Sequence, residues 1–172
     1  MDEKITYIIG QIKQQILTDR RVQVGTFPYF PPVTFAEIND AEQRLGFILP
    51  ELLRRIYTEV ANGGFGPFNR ILGLKNGWFT TKGESANLVE LYKDCLETLP
   101  FPPFPYFRWP EKLLPICEDS WDLICLDCNK AEMPVIKIHS KIPDSQGLNW
   151  EIKISFEAIS FQNWLENWLS NL

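Results

Sequence analysis

The stretch from Thr34 to Gly66 leaves the chain few ways to fold. Two amphipathic helix patterns meet there across Leu45-Gly46-Phe47-Ile48-Leu49-Pro50, and the second runs into Ala61-Asn62-Gly63-Gly64. Thr34-Phe35-Ala36-Glu37 reads as a capping box: the Thr34 hydroxyl accepts from the N–H three residues on, and Glu37 reaches back to the Thr34 N–H. Ile38, Ala41 and Leu45 then share the core face. Gly46 stops this helix, because glycine takes the left-handed cap without steric cost. Pro50 opens the next helix at its first turn, where a missing N–H is harmless. Leu52, Leu53, Ile56, Tyr57 and Val60 form its apolar stripe, and Asn62-Gly63-Gly64 is expected to end it with residues that tolerate positive φ.

Upstream, residues 2–19 read as a helix whose stripe is Ile5, Ile8, Ile9, Ile12 and Ile16. Gly25 to Pro32 forms an extended, proline-rich link. Downstream of Gly66-Pro67, Arg70 to Leu74 is a short strand candidate, with Asn76-Gly77 as a turn and Trp78 to Thr81 as its partner strand. Ser85 is expected to cap a helix over residues 86–99, with Leu88, Leu91, Tyr92, Cys95 and Leu99 on one face. Residues 100–110 set prolines among Phe101, Phe104, Tyr106, Phe107 and Trp109, which excludes a regular helix or a central strand.

The second half reads as a meander. Leu113 to Cys117 and Leu123 to Asp127 are apolar strands around the acidic turn Glu118-Asp119-Ser120-Trp121-Asp122. Pro134 to His139 alternates, with Val135, Lys137 and His139 on one face and Ile136 and Ile138 on the other. Residues 141–149 are polar and loop-like, and 150–156 alternate through Ile152, Ile154 and Phe156. Ser160 caps a last helix that carries Phe161, Trp164, Leu165 and Trp168 on its apolar face. These elements predict one α+β domain over residues 1–172: an antiparallel sheet with helices packed against it and at its ends. Residues 1–30 would be its N-terminal helix and link.

A capped helix bearing Glu42, then Leu45-Gly46-x-x-Leu49-Pro50, then an apolar helix with Tyr57 running into Asn62-Gly63-Gly64, resembles the core signature of the SUKH superfamily. The likeness runs on through residues 34–169: the strand ending near Ile116, the acidic turn with Asp122, the strand end at His139 and the Ser160-Phe161 helix. Ser120-Trp121 stand where the family often has glycines. The resemblance implies the same α+β arrangement and a non-enzymatic protein-binding domain. The superfamily contains yeast cell-wall-assembly regulators and bacterial immunity proteins that neutralise toxins. It therefore implies an immunity protein for a cognate toxin, or a cytoplasmic regulator or scaffold.

The net charge of −5 opposes a nucleic-acid binder, since Arg20-Arg21 and Arg54-Arg55 are pairs and not a basic run. It would suit a cationic protein partner such as a nuclease toxin. No apolar run approaches the roughly 18 residues of a membrane span. Asp2 and Glu3 stand where a secretory leader would be basic, and the four cysteines are few and irregularly placed. Both features point to the cytoplasm.

Cys125-x-x-Cys128 lacks the second ligand pair a structural zinc site needs, so it reads as incidental thiols, with no metal and no cofactor expected. A Cys/His enzyme using His139 is the rival from another class, but no thiol-hydrolase signature surrounds any cysteine. Glu42, Leu45, Gly46, Leu49, Pro50, Asn62, Gly63 and Gly64 all have structural duties as caps, joints or core. The partner's footprint is therefore expected on Glu118, Asp119, Trp121 and Asp122 of the acidic turn and on Tyr106 and Trp109 of the aromatic loop.

Overall fold

A computed structural model describes residues 2–25, 28–67, 71–80, 86–97, 108–119, 122–140 and 152–171. The elements are α1 (Asp2–Thr18), α2 (Arg20–Gln23), α3 (Phe35–Leu45), α4 (Glu51–Glu59), α5 (Leu88–Glu97), β1 (Leu113–Asp119), β2 (Asp122–Asp127), β3 (Val135–Ser140), β4 (Ile152–Ala158) and α6 (Phe161–Ser170). The four strands make one antiparallel sheet in the order β1-β2-β3-β4. Helix α5 packs on β1, α6 packs on β4, and α1 packs on both α4 and α6. The predicted α+β architecture is present.

The local chemistry of α3 and α4 follows the sequence closely. Thr34 and Glu37 form both halves of the capping box. Gly46 closes α3 at φ 81° and donates its N–H to the Glu42 carbonyl. Pro50 stands one position earlier than expected, as the cap residue preceding α4. Ile38, Ala41 and Leu45 of α3 and Leu52, Leu53, Ile56 and Tyr57 of α4 are all buried. In α1, Ile8, Ile9 and Ile12 are fully buried, with Ile5 and Ile16 at the margin of the same core.

Three expectations need correction. First, α4 ends at Glu59 with Val60 as its cap, so Asn62-Gly63-Gly64 is not the helix stop. Asn62 is instead buried and clamps the turn that follows. Its side chain accepts from the Leu74 N–H at 2.7 Å and donates to the Lys75 carbonyl at 3.1 Å. Its own carbonyl accepts from the Trp78 N–H at 3.0 Å.

Second, Arg70 to Leu74 and Trp78 to Thr81 are not paired strands: Ile71 makes a single antiparallel bridge to Cys117, while residues 68–70 and 81 lie outside the described set. The turn at Asn76-Gly77 is present, with the Gly73 N–H bonded to the Trp78 carbonyl at 2.7 Å. Asn62 supplies polar partners that a strand ladder would otherwise provide.

Third, α5 begins at Leu88 and its cap is Asn87, not Ser85, which lies outside the described residues. The Asn87 side chain accepts from the Val89 and Glu90 N–H groups, and Glu90 accepts from the Asn87 N–H. This is a second reciprocal box, three residues apart like the first.

Leu72 ties the helical half to the sheet. Its carbonyl accepts from the buried Tyr57 hydroxyl at 2.6 Å, and its N–H donates to the Ile116 carbonyl at 2.8 Å. Burial on both faces of β1 and β2 gives way to exposure along β4. Its alternating apolar row is turned outward, with Ile154 and Phe156 exposed.

Candidate functional site

The β1–β2 hairpin sets Asp119 directly opposite Asp122. Like charges so placed repel across a strand pair. The residue that relieves them comes from the next strand but one: Lys137 of β3 lies 2.7 Å from Asp119 and 3.4 Å from Asp122. Side chains two residues apart share a sheet face, so His139 stands beside Lys137. His139 Nδ1 is 3.0 Å from Asp122 Oδ2, and its Nε2 is 2.8 Å from the Ser155 hydroxyl on β4. Four strands thus converge on one polar network, Asp119–Lys137–Asp122–His139–Ser155.

Hydrogen bonding to Asp119, seconded by Asp122, holds the Lys137 ammonium above its ordinary range, outweighing the opposing effect of burial. A lysine with a raised folded value contributes stability fully below the ordinary 10.5 and loses it as pH rises through the higher folded value. Lys137→Gln is therefore expected to lower unfolding free energy by about 1 kcal/mol at neutral pH. That difference should stay constant through mildly alkaline pH and shrink above it. Urea denaturation of both proteins across the alkaline range checks this.

With a proton on Nδ1, His139 donates to Asp122 and accepts the Ser155 hydroxyl proton bond. The same order of groups orients a base in serine hydrolases. Here, however, Asp122 is shared between the His139 imidazole and the Lys137 ammonium, which loosens its hold on the base. The arrangement serves better as a rigid polar patch. Ser155 escaped the sequence reading, because a lone serine in an alternating strand carries no signal of its own. The pairing of β3 with β4 alone brings it to His139.

Cys95, Cys125 and Cys128 are placed unfavourably for nucleophilic chemistry. Register puts Cys125 opposite Ile136, on the sheet face away from His139. Burial raises the Cys125 thiol well above the ordinary range and pushes Cys95 and Cys128 each up to about 12. Among the described residues no cluster of His, Cys, Asp and Glu is arranged to hold a metal ion.

Of the residues expected to meet a partner, Asp119 and Asp122 lie in the network and Glu118 is half-buried at the end of β1. Trp109 is buried, and its indole N–H donates to the Leu113 carbonyl at 2.8 Å. It supports the sheet from within. Tyr106 and Trp121 lie outside the described residues.

The family-motif residues occupy the joint. Glu42 accepts from the Leu49 N–H at 2.8 Å and pairs with Arg54 Nε at 3.0 Å, which fixes α3 to α4. Leu45, Leu49 and Pro50 are buried around it. Gly63 and Gly64 take φ 80° and 79° beside the clamped turn.

Among the described residues, no helix is long and apolar enough to cross a membrane. A model of the SMI1 / KNR4 family (SUKH-1) matches residues 32–167. No curated protein matches the chain.

Proposed function

This chain belongs to the SMI1 / KNR4 family (SUKH-1), and on that premise we propose that it is a non-enzymatic protein-binding domain acting as an immunity protein that neutralises a cognate toxin. The observation that carries the reading is the family match over residues 32–167. The net charge of −5 supports it, because toxins that attack nucleic acids are commonly cationic and an acidic surface speeds and orients their capture. The raised thiols of Cys95, Cys125 and Cys128 count against an enzyme built on any of those three cysteines. The same domain could equally serve a cytoplasmic regulator, and the two roles are separated by the partner.

The footprint we propose centres on Glu118, Asp119 and Asp122 of the hairpin, with Trp121 and Tyr106, which lie outside the described residues, as further contacts; Trp109, buried against Leu113 at the other end of β1, supports the sheet. Lys137 and His139 fix the two aspartates in place, so a partner would meet a pre-organised surface and lose little entropy on binding. The test first asks whether the neighbouring gene encodes a toxin-like C-terminal domain, and then co-expresses that domain with this chain. Restored growth and a co-purifying complex are expected. Asp122→Lys should weaken that complex at least about tenfold, a change held mostly in association rate and salt dependence. Growth arrest with no complex would refute the immunity reading for that pair.

A further inference from the structure

Strand β4 closes the order β1-β2-β3-β4, so its outer edge has no strand beside it among the described residues. The opposite edge is partly met by Ile71 and Leu72, which bond to Cys117 and Ile116. Edge strands are usually blunted by charge or covered. β4 carries Lys153 and Glu157 and also exposes Ile154 (54%) and Phe156 (63%) on one face. On its other face Ser155 stands opposite Lys137, and Lys153 stands opposite His139. Glu157 has no register partner on β3, because the pairing shifts between Val135 and Ile136.

A second copy can extend this sheet antiparallel about a two-fold axis perpendicular to it. Directly opposed residues share a face, so one residue must stand opposite its own copy, with the axis midway between them. Centring on Ser155 engages the whole of Ile152–Ala158. It sets Lys153 against Glu157 of the second copy, twice by symmetry, and Ile154 against Phe156. Centring on Ile154 puts Lys153 against Ser155, and centring on Phe156 puts Ser155 against Glu157; neither pairs the charges. We propose that β4 pairs with β4 of a second copy of this chain, antiparallel and centred on Ser155, joining two four-stranded sheets into one. Lys153, which would guard this edge against an unrelated strand, becomes a specificity element for its own kind.

The experiment is sedimentation analysis of the full chain over a micromolar-to-millimolar series. A dimer is expected, and Lys153→Glu or Glu157→Lys alone should raise its dissociation constant about tenfold or more, since each creates two like-charge pairs. The double variant K153E/E157K should return it to near the starting value. Hydrogen exchange on the unmodified chain gives a readout free of folding defects: β4 amides should gain protection as concentration rises. A monomer throughout the series, a dimer indifferent to the single swaps, or a double variant as weak as the singles would each overturn the proposal. The dimer does not rest on the immunity reading, and failure of toxin rescue leaves these outcomes unaffected.

Discussion

Gly63→Ala is expected to cost about 4 kcal/mol or more, enough to leave little folded protein. Two effects add. At φ 80° a side chain is disfavoured by about 1–2 kcal/mol. The new Cβ would also lie 2.6 Å from the Gly73 nitrogen and 2.7 Å from the Ile71 carbonyl oxygen. Both obstacles are backbone, and neither can rotate away. They are held there by the Gly64 N–H bonded to the Ile71 carbonyl at 2.9 Å and by the Asn62 clamp on Leu74. Gly46→Ala is the control. Its φ of 81° is the same, but nothing lies within 4 Å of the added Cβ. Only the conformational cost remains, about 1–2 kcal/mol. Denaturant titration of the two variants separates the mechanisms, and equal losses would remove the steric argument.

The second large effect belongs to Glu42. Its side chain is 12% exposed and holds two groups at once, the Leu49 N–H and the Arg54 guanidinium. Glu42→Ala strands the Leu49 N–H, an unpaired buried donor costing about 1–3 kcal/mol, and removes the counter-charge of Arg54, whose Nε lies 3.0 Å away without hydrogen-bond geometry. Arg54 retains some water and a longer contact to Glu51, which limits the loss to about 3 kcal/mol in total. Glu42→Gln keeps an acceptor for Leu49 and loses only the charge, so about 1 kcal/mol is expected. For a domain of this size each kcal/mol lowers the melting temperature by about 2–4 °C. Thermal scans should rank Ala well below Gln. Equal shifts would mean that the charge, and not the acceptor, fixes the joint.

The parts of this fold that were legible in the sequence are those governed by neighbours in the chain. Thr34 with Glu37, Gly46 at the cap, the alternation of Lys137 and His139, and Ser160 before α6 each state their role within a few residues. Asn62 was misread for the same reason. As a local signal Asn-Gly-Gly means a helix stop, yet its partners are Leu74, Lys75 and Trp78, reached only when the chain doubles back. Ser85 is expected as the cap of α5 because it is a good cap residue, yet Asn87 is one as well, and only the observed bonds identify it. The candidate site shows the same division. The acidic turn was visible as a run of carboxylates. Its neutralisation by Lys137 and the reach of His139 to Ser155 depend on strand register, which periodicity alone does not set.

Leu72 has a consequence for how the molecule comes apart. One residue receives α4 on its carbonyl and sends its N–H to β1, with no helix or strand of its own to hold it otherwise. Loosening either half frees the fastener of the other. The helical and sheet halves should then share a single cooperative opening, with the core amides of α4 and β1 exchanging at one common free energy, and no intermediate should survive in which one half is intact alone.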